Sequence, residues 1–546
     1  MNFNGEMRAL TKRNLLIAAG YSAVLIVGMI AGPKFANENA NTKNGSFLQF
    51  GINDRSDKVN KVLQIINEKY VDPIKIDTIQ DKVIEEIVKN LDPHTSYLPP
   101  ADAKLLSEDL EGNFYGIGIE YYILNDTLLV TSVNKSGPAY KAGMFPGDKI
   151  LKVNNKQVAG IGISAKQVVE NIRGKAGTKV NILLKRRNVL KNIAVLRDKI
   201  TISSIDAAYQ ISKNTGYIKI SKFGDQTDED FLSSLIKLQN AGMKNLILDL
   251  RQNGGGYLNS ATELADQFLG NKKLIVYTEG AHEPRTDYFA TAGGKFEQGK
   301  LVVLIDENTA SASEIVAGAV QDLGRGTIIG RRSFGKGLVQ EQFNFGDGSA
   351  LNLTIARYYT PLGRSIQKSY VKGKEEYYKE VGKRFKNGEI YSDGKGLSDT
   401  SYSKQQTYTT QSGKVVYGGG GIMPDIYVPL DTLGYSNYYY SISAKGILND
   451  FVFQHLLNKK GDLINPEVYM KSFKLSPADY QEISQMALAQ KIGPSPRQME
   501  LSKKLIETDV KALLARYYLG DEGFYKVLNA EDRIITRSLD VLQQAD

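Results

Sequence analysis

Ser311 and Lys336 are the residues of this chain whose types and spacing could do chemistry together. Ser311 opens an apolar stretch that predicts a helix over 312–323, and Lys336 follows the next strand-like run, where the chain has come back. A serine hydroxyl activated by a neutral lysine amine can attack a carbonyl carbon without help from a histidine. The chain has no Cys and only 3 His, so a Ser–Lys dyad is the hydrolytic chemistry that its composition favours.

Lysine acts as a base only when it is neutral, and its ordinary pKa is about 10.4. Burial would have to lower that pKa by about 3 pH units for the amine to be neutral near pH 7. Lys336 lies between Phe334 and Leu338, so we expect it to be buried. Gln340 lies on the same face as Lys336 if the segment is extended, and its amide could orient the amine without adding negative charge.

The first turn of a helix presents free N–H groups and the positive end of the helix dipole. The N–H of Ala312 is therefore the expected first donor of an oxyanion hole beside Ser311. A second donor must come from another loop. Gly255 and Gly256, in the glycine run after a buried strand, are the candidates, because glycine lets the backbone approach a substrate closely.

Other interpretations of these residues stay open on sequence alone. Ser311 could serve only as a helix N-cap, with Glu314 three residues on completing a capping box, and Thr309 or Ser313 could equally be the cap. Asp322 could be taken for a third member of a triad. It lies about 16 Å along the helix from the serine, so we expect a structural role for it instead.

Two functional classes are disfavoured by the remaining patterns. Residues 330–336 fit the spacing of a phosphate-binding loop, but Gly337 stands where that loop needs Ser or Thr. The net charge of +9 is spread over 546 residues, which indicates solvated surface rather than a nucleic-acid site. A chain of this length predicts three or four domains, and without Cys it has no disulfides.

The N-terminus carries a targeting signal. Residues 15–32 are uncharged and apolar and follow basic residues, which predicts a transmembrane anchor with residues 1–14 in the cytoplasm. A cleaved signal peptide is the alternative. In either case we expect the rest of the chain to be exported to the periplasm, with residues 33–55 as a linker.

The rest of the chain divides by pattern into four segments. Helical periodicity predicts an N-terminal helical segment over 56–110, and short strands fill 112–198. Residues 200–430 show an α/β pattern, within which the polar stretch 369–418 is predicted to be a long excursion with some local disorder. Residues 431–546 read as a helical region that offers no recognisable chemistry.

The strands over 112–198 resemble a PDZ domain, above all in the run PGDKILKVN at 146–154. In that arrangement a glycine loop can direct N–H groups toward a peptide carboxylate while the next strand edge pairs with an extended tail. The predicted peptide-binding residues are Tyr115, Gly116, Ile117, Gly118 and Ile119.

Residues 56–430 as a whole resemble the carboxyl-terminal processing peptidases, or tail-specific proteases. The motifs are LDPHTSYL at 91–98, DLRQNGGG at 249–256, SASEI at 311–315, FGKGLVQ at 334–340, YTPLGRSIQ at 359–367 and GGIMPD at 420–425. Gly254 departs from the family, where proline is common at that position, and Thr309 replaces the first of three alternating serines.

The resemblance implies a fold and a set of roles. The fold is an α/β protease core of mixed sheet with flanking helices, an inserted PDZ domain, and helical segments at both ends. Ser311 is the implied nucleophile, Lys336 the general base and Gln340 its orienting partner, while Arg173 matches an element that couples the PDZ domain to the core.

We therefore expect a serine endopeptidase that is anchored in the inner membrane, works in the periplasm, and cuts proteins with free, apolar C-termini through an acyl-enzyme. No metal, cofactor or nucleic acid is expected, and a homo-oligomer or an adaptor protein as further partner stays open. The alternatives are a non-catalytic peptide-binding adaptor that delivers clients to another protein, and a hydrolase of small esters or lipids. The second lacks a G-x-S-x-G elbow and would leave the PDZ domain without a task.

Overall fold

The computed structural model describes residues 58–392, 406–456, 471–493 and 495–544. The predicted anchor at 15–32 and the linker at 33–55 lie outside the described residues. The chain divides into two compact units, residues 1–80 and 81–546. Within the described ranges, no helix combines the length and the apolar character that crossing a bilayer requires.

The N-terminal helical segment consists of short amphipathic helices. Helices α1 (Lys58–Lys69) and α2 (Ile76–Val88) are followed by strand β1 (Ser96–Leu98) and helix α3 (Pro100–Leu110). Proline in the first turn of α3 suits a helix start, where its missing N–H costs no hydrogen bond. The predicted helices of this segment are therefore present, with boundaries within a few residues of those expected.

A small β-domain follows. Its first sheet runs in the order β3–β4–β5–β7–β8, so β3 is an edge strand, and β6 pairs with β5; a separate pair is formed by β2 and β9. Helix α5 begins after a capping box between Ser164 and Gln167. The elements are β2 (Asn113–Gly116), β3 (Ile119–Leu124), β4 (Thr127–Val133), α4 (Pro138–Lys141), β5 (Lys149–Val153), β6 (Lys156–Gln157), α5 (Ala165–Ile172), β7 (Lys179–Arg186), β8 (Val189–Leu196) and β9 (Asp198–Thr201).

The centre of the α/β core is a six-stranded sheet in the order β10–β11–β12–β15–β16–β21. All its neighbours pair in parallel except β10 and β11. Helices α6, α7 and α8 pack on one face. The elements are β10 (Ile205–Ser212), β11 (Thr215–Ile220), α6 (Thr227–Asn240), β12 (Asn245–Asp249), α7 (Leu258–Asp266), β15 (Leu301–Ile305), α8 (Ala312–Asp322), β16 (Thr327–Gly330) and β21 (Ile426–Tyr427).

Three loops leave this sheet at the carboxyl ends of neighbouring parallel strands. One follows β12 and carries the glycine run, one follows β15 and leads to Ser311, and one follows β16 and leads to Lys336. Because parallel strands end at the same edge, residues far apart in sequence meet there. This topology brings the two candidate residues of the dyad together.

A second sheet closes over that edge. Strands β1, β18, β13 and β14 form its path, and β17 pairs with β18. The bounds are β13 (Leu274–Glu279), β14 (Thr286–Phe289), β17 (Leu338–Asn344) and β18 (Ala350–Tyr359). Lys336 directly precedes β17, while Gln340 lies within it, at a bulge opposite β18.

Residues 369–418, predicted to be a long excursion with some local disorder, contain a regular helix and a strand pair in their described part. Lys374–Lys386 is a regular helix, α9, and Thr407–Thr409 pairs with Val415–Tyr417 as β19 and β20. Residues 393–405 lie outside the described residues. The helix has acidic residues in its first turn and basic ones in its last, which suits the helix dipole, and it buries Tyr377 and Arg384. Because the helix is rich in Lys and Glu, the sequence did not indicate that Tyr377 and Arg384 are buried.

The C-terminal region is helical, as predicted. It contains α10 (Asn437–Ala444), α11 (Ile447–Phe451), a π-helical turn (Val452–Leu456), α12 (Pro477–Ala489), α13 (Pro496–Asn529, interrupted at Gly520) and α14 (Arg533–Gln543). Ile534, Ile535 and Leu542 of α14 pack on the second face of the central sheet. The last helix therefore completes the helical covering of the α/β core.

Candidate active site

Ser311 stands at the junction between the loop after β15 and helix α8. It is the N-cap residue of α8, with φ 55° and ψ −117°. A positive φ is uncommon for a residue with a side chain, and backbone strain of this kind is concentrated at functional sites. The loop is held from beneath, since Thr309 Oγ1 donates to the carbonyl of Leu250 (2.9 Å) and Ser313 Oγ donates to that of Asn253 (3.0 Å).

The glycine loop after β12 lies directly against Ser311. Gly255 has φ +103°, and a Cβ added there would lie 2.8 Å from Cβ of Ser311 and 3.0 Å from the nitrogen of Ala312. At Gly256, with φ +147°, an added Cβ would lie 2.0 Å from the carbonyl oxygen of Phe223. Both positions therefore require glycine, for conformation as well as for space.

The two glycines differ in the state of their N–H groups. The N–H of Gly255 donates to Oδ1 of Asn253 (2.9 Å). That bond favours Gly256 as the second oxyanion donor beside the N–H of Ala312. The oxyanion assignment of all three residues stays a prediction.

Lys336 is held at the end of the third loop. Its Nζ donates to Oε1 of Gln340 (2.7 Å), so the expected pairing of amine and amide is present in the structure. Burial lowers the pKa of Lys336, while the carboxylates of Glu314 and Asp92 act in the opposite direction. Gln340 in turn donates through Nε2 to the carbonyl oxygen of His94 (2.7 Å).

Glu314 ties the serine loop to the lysine loop. Its fully buried carboxylate accepts the backbone N–H groups of Ser311 (2.9 Å), Gly335 (2.8 Å) and Lys336 (2.9 Å), and the hydroxyl of Ser333 (2.5 Å). Burial raises the pKa of Glu314 to about 7, against the lowering effect of these four hydrogen bonds. The capping box considered from the sequence therefore accounts for one of these four hydrogen bonds, the one from the N–H of Ser311.

Tyr358, on β18, makes a second tie between the same two loops. Its buried hydroxyl lies 2.6 Å from the carbonyl oxygen of Lys336 and 3.0 Å from that of Ser311, and it donates to them. Sequence reasoning missed Tyr358 altogether. The signal that could have found it was its place directly before the motif YTPLGRSIQ, at the end of an alternating strand-like run.

The dyad residues open onto one cavity of about 760 Å³. Ser311, Ala312, Lys336, Gln340 and both candidate glycines line it, so the structure brings all the predicted site residues of the core together. Leu106 and Leu110 of α3 line it from the other side. By contrast, Asp322 ion-pairs with the buried Arg364 (2.5 Å), which confirms its structural role.

The predicted peptide-binding residues lie at the start of the edge strand β3. Tyr115 and Gly116 belong to β2, Gly118 has φ +77°, and Ile119 begins β3. Ile117 is buried in the same apolar cluster as Val168 and Ile172 of α5. Loop, strand edge and helix thus lie together, as strand addition of a peptide requires.

Arg173, at the end of α5, points out of the β-domain toward the core. Its guanidinium lies 4.1 Å from the ring centre of Phe114 and forms an ion pair with Glu108 of α3. Neighbouring residues of α3 line the cavity of the dyad. Arg173 is therefore placed where it could transmit a change between the two domains, and its coupling role stays a prediction.

Comparisons with known proteins agree with this architecture. Residues 214–377 match Peptidase family S41, residues 129–186 match the PDZ domain, and residues 438–520 match a family of unknown function. The fold class that the sequence predicts is confirmed, with a mixed α/β protease core, a PDZ domain and helical segments at both ends.

Named relatives point to the same family. A probable CtpA-like serine protease of Staphylococcus aureus (strain bovine RF122 / ET3-1) is 32% identical over 375 residues, which is 68% of this chain and 73% of that protein. A protein of the same name from Staphylococcus saprophyticus is 33% identical over 57% of this chain and 63% of its own length. A solved photosystem II D1 C-terminal processing protease shares 29% identity, covers 56% of this chain and 83% of its own, and gives a TM-score of 0.32. By the family match and the sequence relatives, the chain belongs to peptidase family S41, its Staphylococcus relatives are named as probable serine proteases, and it carries a PDZ domain.

Proposed function

We propose that this protein is a serine endopeptidase that binds the C-terminal tail of a protein substrate in its PDZ domain and cuts upstream through a dyad of Ser311 and Lys336. The observation that supports it best is the position of the Lys336 amine, 2.7 Å from Oε1 of Gln340, in the cavity that Ser311 also lines. An amine whose pKa burial lowers, and which a neutral amide holds, is suited to be a base.

The proposed reaction uses protein groups and water alone. Neutral Lys336 takes the proton of Ser311 Oγ as that oxygen attacks the scissile carbonyl carbon. The resulting oxyanion accepts hydrogen bonds from Ala312 and from a glycine N–H, each worth roughly 3 kcal/mol of barrier. The ammonium then returns the proton to the leaving amine, and a water molecule, deprotonated by the same amine, hydrolyses the acyl-enzyme.

Tail recognition is supported by the position of β3 at the edge of its sheet and by α5 packing on the same apolar cluster, in the part of the chain that the structure describes. A tail paired with β3 would place its carboxylate at the loop 116–118 and its apolar side chains over the domain core. The ion pair of Arg173 with Glu108 joins this domain to α3, whose residues line the cavity. Protein substrates with free, apolar C-termini are the partners that we infer.

We also propose that the enzyme works in the periplasm from an inner-membrane anchor at 15–32. The support is the apolar run itself and the basic residues before it. Fractionation of cells that express the full chain and a chain lacking residues 1–32 tests this. The full chain should sediment with membranes and be accessible to protease added to spheroplasts. A full chain that remains in the cytosol would contradict the proposal.

The central experiment maps fragments from an unfolded, apolar-tailed protein, offered with and without its last residues. The intact tail should give cleavage, and its removal should slow cleavage strongly. Ser311→Ala should abolish turnover in a folded protein. Lys336→Arg should do the same, because a guanidinium stays charged. Turnover by either variant would refute the dyad, and binding without fragments by the unaltered protein would favour the adaptor function.

A further inference from the structure

A ring of hydrogen bonds surrounds the proposed base and passes through His94. Neither the sequence nor the proposed dyad assigns a role to this residue. The carbonyl oxygen of His94 accepts Nε2 of Gln340 (2.7 Å), and Oε1 of that glutamine accepts Nζ of Lys336 (2.7 Å). On its other side, Nε2 of His94 lies 2.8 Å from the hydroxyl of Tyr377. That hydroxyl accepts Nε2 of Gln367 (3.3 Å).

The directions of these bonds follow from the ring itself. Oε1 of Gln367 accepts the N–H of Gly337 (2.8 Å), so its Nε2 must face Tyr377. The tyrosine hydroxyl accepts that N–H and has its own hydrogen left for Nε2 of His94. His94 is therefore a neutral imidazole with its proton on Nδ1, an assignment that rests on the network. Burial is the largest cause that lowers the pKa of His94, to about 4, which agrees with a neutral ring.

Hydrogen bonds hold the backbone at His94 and at the residue before it. Asp92 accepts its N–H (2.8 Å), and Tyr378 donates to the carbonyl of Pro93 (3.1 Å). The imidazole meets the ring of Tyr377 edge-on, with 5.2 Å between centroids. Two tyrosines of α9 therefore hold the turn that presents one carbonyl oxygen to Gln340.

The orientation of the Gln340 amide matters for the base. With Nε2 donating to the carbonyl, Oε1 must face Lys336, and it accepts one hydrogen of the amine. The amine lone pair is then left for the proton of Ser311. An inverted amide would present an N–H to Nζ and occupy that lone pair.

We propose that His94 is a positioning residue for the general base: its carbonyl oxygen sets the Gln340 amide, and its imidazole, held by Tyr377, keeps that carbonyl in place and keeps water from Lys336. This inference rests on the proposed function. His94 acts through Gln340 and does not touch the substrate. Its loss should therefore change the chemical step and leave tail binding unchanged.

The charges around the pair define the expected pH effect. Glu314 of α8 and Asp92 of the His94 turn face Lys336, while Asp92, Lys368 and Lys374 act on His94. Removing the imidazole admits water beside the amine, while Glu314 and Asp92 stay in place. Water favours the ammonium form of Lys336, so more alkaline solution is needed to free the base.

The test measures kcat and KM between pH 6 and 10 for the full chain and for His94→Ala. In a second assay, the rate at which a fluorophosphonate labels Ser311 reports the reactivity of the serine without a tailed substrate. We expect the acid limb of the pH–kcat profile of H94A to move up by about one pH unit or more. Its kcat at pH 7.5 should be at least about tenfold lower than that of the wild type and should recover toward the wild-type value at high pH. KM should be unchanged. His94→Gln, which keeps an acceptor near Tyr377, should restore most of the activity. His282→Ala removes an exposed imidazole and should match the wild type.

A loss of activity in H94A that is the same at every pH, or a profile that matches the wild type, overturns the inference. If thermal melting shows that H94A does not fold, Tyr377→Phe replaces it: a smaller alkaline shift supports the inference, and an unshifted profile overturns it. The proposed function fails differently, because the wild type would then neither cleave nor be labelled, and the inference would fall with it.

Discussion

Replacing Glu314 with glutamine should remove a large pH dependence from the stability of the core. The carboxyl group is fully buried, and burial raises its pKa from the ordinary 4.5 to about 7 in the folded protein. Between these two values the unfolded chain loses the proton while the folded chain keeps it. Stability is therefore complete below about pH 4.5 and falls as pH rises toward 7. At about 1.4 kcal/mol for each pH unit, the fall amounts to about 3 kcal/mol.

Glutamine has the same shape but does not titrate. It also replaces one acceptor oxygen by a donor, and each oxygen of Glu314 accepts two hydrogen bonds. The variant therefore loses about 1–3 kcal/mol or more at every pH, since two buried donors are left without their acceptor. This loss is the same at every pH. It therefore does not affect how the difference in the free energy of unfolding between the two proteins changes with pH.

The assay is urea unfolding followed by far-ultraviolet circular dichroism, because the chain has no Trp, at half-unit steps from pH 4.5 to 8. The free energy of unfolding of the wild type, minus that of Glu314→Gln, should fall by about 3 kcal/mol over this range. A difference that stays constant with pH would refute the reasoning. It would mean that the carboxyl group titrates normally in spite of its burial.

Three further predictions concern the same site. Gly255→Ala should lower kcat by about 100-fold or more, because its Cβ would lie 2.8 Å from that of the nucleophile, whereas Gly254→Ala meets no atom within 4 Å and should keep most of the activity in the same fragment assay. Lys336→Met should abolish cleavage and raise the urea midpoint, since it removes a buried amine whose pKa burial lowers; an unchanged or lower midpoint would contradict the burial argument. In a double-mutant cycle, Arg173→Ala and Glu108→Ala should show a coupling of about 1 kcal/mol in the free energy of unfolding, and each should lower kcat on tailed substrates. Additive effects on stability would show that the ion pair does not couple the β-domain to α3.

Sequence reasoning found the residues whose chemistry is local. Ser311, Lys336 and Gln340 stand out because a nucleophile at a helix start and a lysine in a glycine-flanked loop are visible as short patterns. The alternation of apolar strands and helices predicted an α/β core, and the strand pairing in the structure places their loops at one edge of its sheet. For these residues, type and immediate neighbours were enough to suggest the role that we propose.

The residues that sequence reasoning missed depend on long-range register. The carbonyl of His94 meets Gln340 across 246 positions of the chain, and its imidazole meets Tyr377 across 283. Neither contact leaves a periodic trace, because it arises from the pairing of β1 with β18 and from the packing of α9. Sequence reasoning assigned no role to any of the 3 His because it considered side-chain chemistry, whereas His94 contacts Gln340 through its backbone carbonyl.

Glu314 also explains how a buried lysine can stay neutral next to a carboxyl group. An ionised Glu314 would raise the pKa of Lys336 and hold its proton, so the proposed base needs the acid to be neutral as well. Near pH 7 the pair can carry a single proton in two ways, as acid and amine or as carboxylate and ammonium, and the two groups titrate together. Burial disfavours the form with two charges. The burial that makes Glu314 costly to ionise is therefore the same condition that leaves Lys336 able to accept the proton of Ser311.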